Sequence, residues 1–369
     1  MSEPCVCHFC GVVLKDSDIR EFDDTILCEH CLHEHTTLCD CCMDRIWRNE
    51  AEGNHIYTLC RYCFENNYVN CARCGELIHN DDAHYDDDND EPYCQTCYDK
   101  ITSESIRSYY YKPSPIFYGE GSLFMGVELE IDHAGESNAN AQQILELANM
   151  SEERIYCKHD GSLDEGFEIV SHPMTLEYHA KEMNWEKILA KAISMGYVSH
   201  NAGSCGLHIH CSRNFFGDDT DEQEIAIGRV VYFVEKHWNE LVRFSRRTIG
   251  SLNRWAAKYA TISDTVHETY AKAKNKDAGR YVAVNLTNYA TIEFRMFRGT
   301  LRYETFMATL QLVDEICRLA VRMYDCDLES LSWGEFVQQI DGDTKPELVA
   351  YLKSRRLYVN ETANETEEM

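Results

Sequence analysis

The feature that most constrains the fold of this chain is a repeated pattern of paired cysteines in its first hundred residues. Each repeat holds two Cys-x2-Cys pairs separated by 17 or 19 residues, successive repeats start 32 residues apart, and 7 residues join one repeat to the next. A Cys-x2-Cys pair presents two thiolates from one tight turn, and two such pairs complete a tetrahedron around Zn²⁺. The spacing therefore predicts three four-cysteine zinc sites, with the ligands Cys7, Cys10, Cys28 and Cys31; Cys39, Cys42, Cys60 and Cys63; and Cys71, Cys74, Cys94 and Cys97.

These predicted zinc sites are structural rather than catalytic. Four thiolates leave no open coordination position, and metal binding worth on the order of 10 kcal/mol per site would supply most of the folding free energy of this region. Cys41 lies beside Cys42 and could compete for the metal, and four histidines are alternative ligands: His8, His30, His33 and His79. The repeats resemble zinc ribbons or the halves of LIM-type modules, which commonly bind proteins. We therefore expect them to recruit a substrate or a protein partner.

Composition narrows the class of protein further. The chain has 369 residues, 44% of them hydrophobic, which allows a sizeable core and two or more domains. Its net charge of −28 argues against nonspecific nucleic-acid binding, which depends on clustered Lys and Arg. There is no apolar run of about 18 residues and no basic leader followed by an apolar segment. We expect a soluble cytoplasmic protein without a membrane span.

The cysteine repeats and the acidic C-terminal residues indicate how the chain is divided into domains. We expect three zinc-binding units over residues 1–100, a linker over residues 101–120, a larger domain over residues 121–358 and an acidic, disordered tail over residues 359–369.

In the larger domain the hydrophobic pattern changes between helical and extended periods. Helices are predicted over residues 138–150, 175–195, 220–247 and 305–324. Strands are predicted near residues 124–131, 155–157, 167–170, 207–211, 281–287 and 291–297. Because the two kinds of element do not alternate strictly, we expect an α+β fold with a mainly antiparallel sheet rather than a doubly wound one.

One predicted strand carries two carboxylates on the same face. In Phe124-Met-Gly-Val-Glu-Leu-Glu-Ile131, the period of two places Glu128 and Glu130 opposite the apolar residues. Two such carboxylates lie roughly 6–7 Å apart and repel each other, so burying them is costly unless a cation lies between them. For an isolated Glu-x-Glu, the alternative is a strand with one solvated face.

Other predicted strands supply matching polar residues. Glu168 lies in the strand near residues 167–170. His208 and His210 share one face of their strand, as do Glu293 and Arg295 of theirs. Carboxylates suit Mg²⁺ or Mn²⁺, which tolerate an imidazole, and arginines suit phosphate oxygens. Each pair alone can be structural, but together they predict a divalent cation site.

Six motifs follow one another between residues 120 and 325. They are Gly126-Val-Glu-Leu-Glu-Ile131, Asp160-Gly-Ser162, Glu168-Ile-Val-Ser171-x-Pro173, Cys205-Gly-Leu-His-Ile-His210, Tyr281-Val-Ala-Val-Asn285-Leu and Ile292-Glu-Phe-Arg-Met-Phe297. In this order they resemble the amidoligase family, whose members are carboxylate–amine ligases. The resemblance implies a glutamine-synthetase-like or glutamate–cysteine-ligase-like catalytic fold.

The resemblance also implies ATP-dependent formation of an amide bond. A carboxylate would attack the γ-phosphate to give an acyl phosphate, and the amine of a peptide, protein or small molecule would displace phosphate. Two or three Mg²⁺ or Mn²⁺ ions would be held by Glu128, Glu130, Glu168, His208 and Glu293. The residues implied to contact nucleotide or substrates are His210, Arg295, Arg298, Asp160 and Ser162. Asn285 would orient substrate or cap its turn.

Two other functions stay open at this stage. The chain could be an interaction scaffold whose ligase-like domain binds a ligand without turnover, or a metal-dependent hydrolase that uses His208 and His210. A basic group could meet an anionic substrate or nucleotide, or could serve only the dipole of a helix: Arg243, Arg246, Arg247, Arg254 and Lys258. The sequence does not identify the carboxylate or the amine.

Overall fold

The computed structural model of the chain describes residues 4–85, 90–259, 265–274 and 279–358. These residues belong to two compact units, Met1–Ser103 and Glu104–Met369. The acidic tail expected over residues 359–369 lies outside the described residues. Within the described part of the chain, no helix combines the length and the apolar character that crossing a membrane requires.

The first unit repeats a cysteine turn, short antiparallel strands and a short helix. Its strands are β1 Arg20–Phe22, β2 Thr25–Leu27, β3 Thr36–Leu38, β4 Arg45–Trp47, β5 Glu52–Gly53, β6 Thr58–Leu59, β7 Tyr68–Asn70, β8 Leu77–His79, β9 His84–Tyr85 and β10 Pro92–Tyr93. Its helices are α1 Glu29–His35, α2 Arg61–Asn67 and α3 Gln95–Ser103. Short 3₁₀ helices recur with the period of the cysteine pattern, over Asp16–Asp18, Arg48–Glu50 and Asn80–Asp82.

Cysteines begin the first two of these helices. The Cys28 sulfur accepts a hydrogen bond from the Cys31 N–H at 3.3 Å, and the Cys60 sulfur accepts one from the Cys63 N–H at 3.4 Å. A helix N-terminus has unpaired N–H groups and a partial positive charge, so it favours a thiolate at this position. The same cysteines therefore start the helices and stand where the sequence predicts metal ligands.

The second unit is built on one sheet. Its strands are β11 Ile106–Arg107, β12 Met125–Ile131, β13 Ile155–Lys158, β14 Phe167–Ser171, β15 Gly206–Ser212, β16 Val284–Asn285 and β17 Thr291–Arg298. Among the described residues the strand order is β11-β13-β14-β12-β15-β17-β16, and every pair except β11 with β13 is antiparallel. The predicted α+β fold with a mainly antiparallel sheet is confirmed.

The second unit also contains eleven α-helices among the described residues. They are α4 Asn138–Asn149, α5 Leu176–Lys181, α6 Trp185–Ser194, α7 Thr220–Lys236, α8 Trp238–Ser245, α9 Ile249–Trp255, α10 Val266–Lys274, α11 Tyr303–Arg322, α12 Asp325–Ser330, α13 Trp333–Gln338 and α14 Pro346–Ser354. A short 3₁₀ helix follows β15 over Arg213–Phe215.

Two helices that the sequence predicts as continuous are each divided, so their predicted lengths are wrong. The one over residues 175–195 stops at α5 and restarts at α6, because Asn184 has a non-helical ψ of 42°. The one over residues 220–247 breaks at His237, whose φ of −98° and ψ of 31° end α7 and begin α8. The buried ring of His237 packs against Phe233 and Trp333, so tertiary packing sets this break. No proline or glycine marks either position in the sequence.

One face of the sheet belongs to the hydrophobic core. Val127, Leu129, Leu207, Ile209 and Phe294 have no exposed surface and pack in one cluster with apolar residues of α4, α6, α7 and α11. Burying each such side chain contributes about 1.5–3 kcal/mol. The alternation predicted for these strands is confirmed, and it leaves the opposite face to polar side chains.

Candidate active site

The polar face of the sheet brings together residues that lie far apart in the sequence. Glu130 of β12 is paired with Glu168 of β14, and Glu128 is paired with His208 of β15. Because alternate residues of a strand point to the same side, these side chains form one layer across adjacent strands. We call this set, together with His210 and Glu293, the acidic layer.

Glu128 lies between the two histidines of the acidic layer. Its carboxylate oxygens are 3.3 Å from His208 Nδ1 and 3.0 Å from His210 Nε2. Glu293, which pairs with His210 across β15 and β17, has an oxygen 3.7 Å from His208 Nδ1. Burial raises the pKa of Glu128, but the positive charge of His210 and the hydrogen bond with His208 outweigh burial and hold this pKa well below its usual range. Glu128 is therefore ionised at neutral pH.

Glu130 and Glu168 are the more deeply buried carboxylates of the layer, at 5% and 3% exposure. Glu130 accepts a hydrogen bond from the N–H of Gly206, and Glu168 lies 3.3 Å from the ammonium group of Lys158. Burial raises the pKa of both carboxyl groups, and the negative charge of Glu128 raises that of Glu168 further. A cation placed between these carboxylates would stabilise their ionised forms.

Glu293 is oriented from two sides. Asn285 Nδ2 donates a hydrogen bond to one of its oxygens at 2.8 Å, and the Arg295 guanidinium donates to the other. The Asn285 oxygen accepts the Thr287 N–H at 3.0 Å, so Asn285 also caps its turn. Arg247 donates to the Arg295 carbonyl oxygen at 2.6 Å, which ties the chain after α8 to β17. The Glu293 carboxylate is thereby held toward the centre of the acidic layer.

His210 has a buried nitrogen with no hydrogen-bond partner among the described residues. This Nε2 lies 3.0 Å from the Glu128 carboxylate without hydrogen-bonding geometry, while Nδ1 is 3.2 Å from Thr291 Oγ1. Unpaired buried polar atoms are rare and call for an explanation such as a missing ion. Two sets of side chains each have possible ligand atoms within 4.8 Å of one another. One set is Glu128, His210 and Glu293, and the other is Glu128, Glu168 and His208. Such oxygen-rich sets with an imidazole fit Mg²⁺ or Mn²⁺.

The acidic layer is the floor of an open cleft of about 1200 Å³ within the second unit. Cationic side chains in its lining are Lys112, Lys158, Arg247, Arg254, Arg280 and Arg295, and aromatic ones include Tyr109, Tyr156, Trp255 and Tyr281. The Arg254 guanidinium stacks 4.5 Å from the centre of the Trp255 ring, and Arg280 donates to the Tyr281 hydroxyl at 3.0 Å. An acidic floor beneath cationic and aromatic walls can accept a polyanion that carries divalent cations.

Asp160 and Ser162 also belong to the lining of the cleft. The Asp160 carboxylate accepts the Ser162 N–H at 2.7 Å, so it shapes the turn on which both residues lie. Neither residue belongs to the acidic layer itself, and their predicted position near the substrates stays a prediction.

Arg298 does not belong to the described lining of the cleft, unlike Arg295. A β-bulge interrupts the regular pairing of β17 with β15 between Phe294 and Phe297, so Arg295 lies within this interval and Arg298 follows it. Phe294 pairs with Ile209 whereas Phe297 pairs with Leu207, so β17 has one more residue than β15 over this interval. A bulge bends the strand and changes the direction of the residues that follow. The sequence pattern, which assumes a period of two, gives no sign of it.

Sequence reasoning missed Asp132, which directly follows β12. Its buried carboxylate accepts hydrogen bonds from the Ser204 hydroxyl at 3.0 Å and from the Glu165 N–H at 2.7 Å. Burial raises the pKa of Asp132, but these hydrogen bonds outweigh it and lower the pKa. Asp132 thus joins the loop that leads to Gly206 with the loop that follows Asp160. Its position beside the Glu-x-Glu strand was the only available signal.

The cysteines of the first unit come together as the spacing predicts. In each predicted set the four sulfur atoms lie within 4.8 Å of one another. The Cys10–Cys28, Cys42–Cys60 and Cys74–Cys94 sulfur distances are 3.8, 3.9 and 3.9 Å. A tetrahedron with Zn–S bonds of about 2.3 Å has edges of about 3.8 Å. All three sets are therefore compatible with zinc-binding repeats.

Backbone groups favour the thiolate form of one cysteine in each set, whereas the pKa of two other cysteines in each set is raised. Burial raises the pKa of Cys7, Cys39 and Cys71, but N–H groups of the cysteine turns outweigh it and lower the pKa to about 6. A thiolate is the form that binds a metal ion.

Comparison with known proteins identifies the family of the second unit. The family model described as "Putative amidoligase enzyme" matches residues 124–317, a range that contains the whole acidic layer. A search of curated proteins finds no match. The family match confirms the resemblance carried by the six sequence motifs, and it indicates ligase activity. Because the family model matches more than half of the length of the chain, the chain belongs to the amidoligase enzyme family.

Proposed function

We propose that this protein is an ATP- and Mg²⁺-dependent ligase that joins a carboxylate to an amine. The observation that carries the proposal is the acidic layer: four carboxylates and two histidines from four strands converge on the floor of one cleft. Buried like charges are costly without a cation, and the buried Nε2 of His210 lacks a hydrogen-bond partner among the described residues. The family match supports amide-bond formation as the reaction class.

The acidic layer would hold the divalent cations. Glu128, Glu293 and His210 form one donor set, Glu128, Glu168 and His208 form another, and Glu130 lies beside the second. When bound, Mg²⁺ or Mn²⁺ would neutralise the triphosphate and act as a Lewis acid. Asn285 and Arg295 keep Glu293 aimed into the layer, and Lys158 balances the charge of Glu168.

The walls of the cleft would bind the nucleotide and the substrates. Arg280 and Arg254, each beside an aromatic ring, offer guanidinium groups for phosphate oxygens. Arg295 lies close to Glu293 at the floor and would steady the transferred phosphoryl group. Asp160 and Ser162, which also line the cleft, would meet the amine or the carboxylate.

The proposed reaction has two steps. A carboxylate oxygen of the substrate attacks the γ-phosphorus of ATP, the bond to the bridging oxygen breaks, and ADP leaves. The amine nitrogen then attacks the carbonyl carbon of the acyl phosphate, loses a proton, and expels inorganic phosphate. The cleft contributes mainly position and charge, as in other phosphoryl transfers.

The cysteine sets of the first unit would bind three structural Zn²⁺ ions, and the zinc-binding units would recruit a substrate or a protein partner. The sulfur geometry supports the metal. Support for recruitment comes from exposed apolar side chains around the first cysteine turn, including Phe9, Val12 and Val13.

Substitution of Glu128 by Gln tests the ligase proposal. The change keeps the size of the side chain but removes the charge shared by both donor sets, so ATP turnover should fall on the order of 100-fold or more. The assay incubates the protein with ATP, Mg²⁺ and amino acids or cell peptides, and follows phosphate release and new amide masses by mass spectrometry. The matched control is Glu146→Gln, which changes an exposed glutamate of α4 and should leave turnover unchanged.

The same assay separates the other functions that the sequence leaves open. Turnover of a substrate without nucleotide would indicate a hydrolase, and nucleotide binding without turnover would indicate a scaffold. If ATP hydrolysis and amide formation survive Glu128→Gln, the acidic layer is not the catalytic metal site.

A further inference from the structure

A second group of basic side chains, three arginines and one histidine, lies outside the described lining of the cleft. It is contributed by four separate segments of the second unit: His200 before β15, Arg246 after α8, Arg298 at the end of β17 and Arg355 after α14. We call this group the arginine cluster. Arg246 and Arg298 are the two members used below as probes.

Hydrogen bonds fix the segments that carry the cluster. Arg298 Nη1 donates to the Arg246 carbonyl oxygen at 3.3 Å, and Arg355 Nη2 donates to the Arg243 carbonyl oxygen at 2.9 Å. The Tyr351 hydroxyl donates to the Phe244 carbonyl oxygen at 3.1 Å. Two arginines thus cap the C-terminal end of α8, which a helix dipole favours. This role uses only some of their N–H donors, since a guanidinium has five.

The cluster has no neutralising acid among the described residues. No carboxylate in that part of the chain lies within 4.0 Å of the guanidinium groups of Arg246, Arg298 or Arg355. Burial and the charges of these three arginines lower the pKa of His200 to about 4, which agrees with their close approach. Like charges held together without a counter-ion attract an anion.

The cluster adjoins one end of the acidic layer. Arg298 is directly paired with Gly206, and the Gly206 N–H donates to the Glu130 carboxylate. Paired residues of neighbouring strands have Cα atoms about 5 Å apart. The buried Arg247 follows Arg246 in the chain and lines the cleft, so the two sites are connected through adjacent residues.

We propose that the arginine cluster binds a second carboxylate of the substrate, which makes the substrate an acidic peptide or another polycarboxylate. This inference rests on the proposed function, because it takes the reacting carboxylate to lie in the cleft. An extended peptide advances about 3.3–3.6 Å per residue, so an acidic side chain one or a few residues from the reacting group can reach the cluster. Guanidinium groups bind carboxylates through paired hydrogen bonds, which gives the cluster selectivity as well as charge.

The test measures peptide binding to the full-length, zinc-loaded protein by isothermal titration calorimetry. The probes are triglutamate, trialanine and inorganic phosphate, each at two salt concentrations. The variants are Arg246→Gln and Arg298→Gln, and the control is Arg61→Gln, which removes an exposed charge from the first unit. We expect triglutamate to bind, trialanine not to bind, and each cluster variant to weaken triglutamate binding about tenfold. Arg61→Gln should leave binding unchanged, and thermal melts should show that all variants fold.

Three results would overturn the proposal. One is triglutamate binding that is absent, or equal in wild type and cluster variants. Another is inorganic phosphate that binds as tightly as triglutamate and competes with it, which would indicate a phosphate site. The third is triglutamate binding that becomes at least tenfold tighter when four glutamates are changed to Gln: Glu361, Glu365, Glu367 and Glu368. That result would indicate that the arginine cluster binds the acidic end of the chain itself.

Failure of the ligase proposal gives a different pattern. Glu128→Gln should reduce ATP turnover about 100-fold or more and leave triglutamate binding intact, because Glu128 lies in the acidic layer and not in the cluster. Triglutamate binding without any ATP turnover in the wild type would remove the ligase proposal and keep the anion site.

Discussion

His179 illustrates how one buried polar residue supports the sheet at the scale of single residues. Its Nε2 donates to the Met125 carbonyl oxygen at 3.0 Å, and its Nδ1 accepts the Trp185 Nε1–H at 3.1 Å. The ring therefore joins α5, α6 and β12, and both bonds require the neutral tautomer with hydrogen on Nε2. Burial lowers the pKa of His179 to about 4.

The lowered pKa predicts a loss of stability in acid. The folded state favours neutral His179, so its stabilising contribution is complete above the ordinary pKa of about 6.5 and is lost as the pH falls toward 4. We expect wild type to be more stable than His179→Gln at pH 7, and this difference to shrink by about 2 kcal/mol at pH 5. Urea unfolding of both proteins, followed by tryptophan fluorescence, measures it. A difference that stays constant between these pH values would contradict the assignment.

Single residues also show where sequence reasoning stops. The period of two was sufficient to place Glu128, Glu130, His208 and Glu293 on polar faces, because each apolar neighbour enters the core. It could not reveal Asp132, whose role depends on loops that arrive from elsewhere in the chain.

At the scale of elements, we expect folding of the repeats in the first unit to depend on metal binding, because these repeats lack a large hydrophobic core. Each repeat buries only a few apolar residues; the cluster around the second repeat contains Cys39, Leu59, Cys63, Tyr68 and Leu77. Two of these, Cys39 and Cys63, are themselves cysteines of the predicted metal site. The second unit, in contrast, has one extended core shared by its sheet and helices.

Chelation should therefore unfold the first unit and spare the second. Structural zinc contributes on the order of 10 kcal/mol per site, more than so small a core can replace. We expect metal analysis to give three zinc ions per chain before treatment. After a strong chelator removes them, limited proteolysis should degrade residues 1–100 and leave a resistant fragment that begins near residue 104.

Added zinc should restore the original protease pattern. A first unit that resists protease after metal analysis has confirmed zinc loss would contradict this account of its folding.

The sequence predicted which helices and strands exist more accurately than it predicted where they begin and end. Hydrophobic periodicity identified α4 and α11 closely, since both have clear apolar faces. The divisions at Asn184 and His237 escaped prediction because packing rather than a local breaker sets them. The bulge in β17 escaped for the same reason, and with it the position of Arg298.

At the scale of the whole molecule, we propose two kinds of metal chemistry in separate parts of the chain. Thiolates in the first unit favour zinc, and carboxylates with imidazoles in the second favour Mg²⁺ or Mn²⁺. The family match falls entirely within the second unit and supports its ligase role. The identities of the substrates depend on the shape and charge of a cleft assembled from many segments, which a linear pattern does not encode.

Mn²⁺ binding is the most direct test of the claim that the acidic layer is a metal–nucleotide site. Electron paramagnetic resonance of free Mn²⁺ can be followed as full-length, zinc-loaded protein is titrated with and without a non-hydrolysable ATP analogue. We predict saturable binding that tightens with the nucleotide and weakens at least about tenfold in Glu128→Gln but not in Glu146→Gln. Mn²⁺ binding that is absent with nucleotide, or unchanged by Glu128→Gln, would contradict the claim.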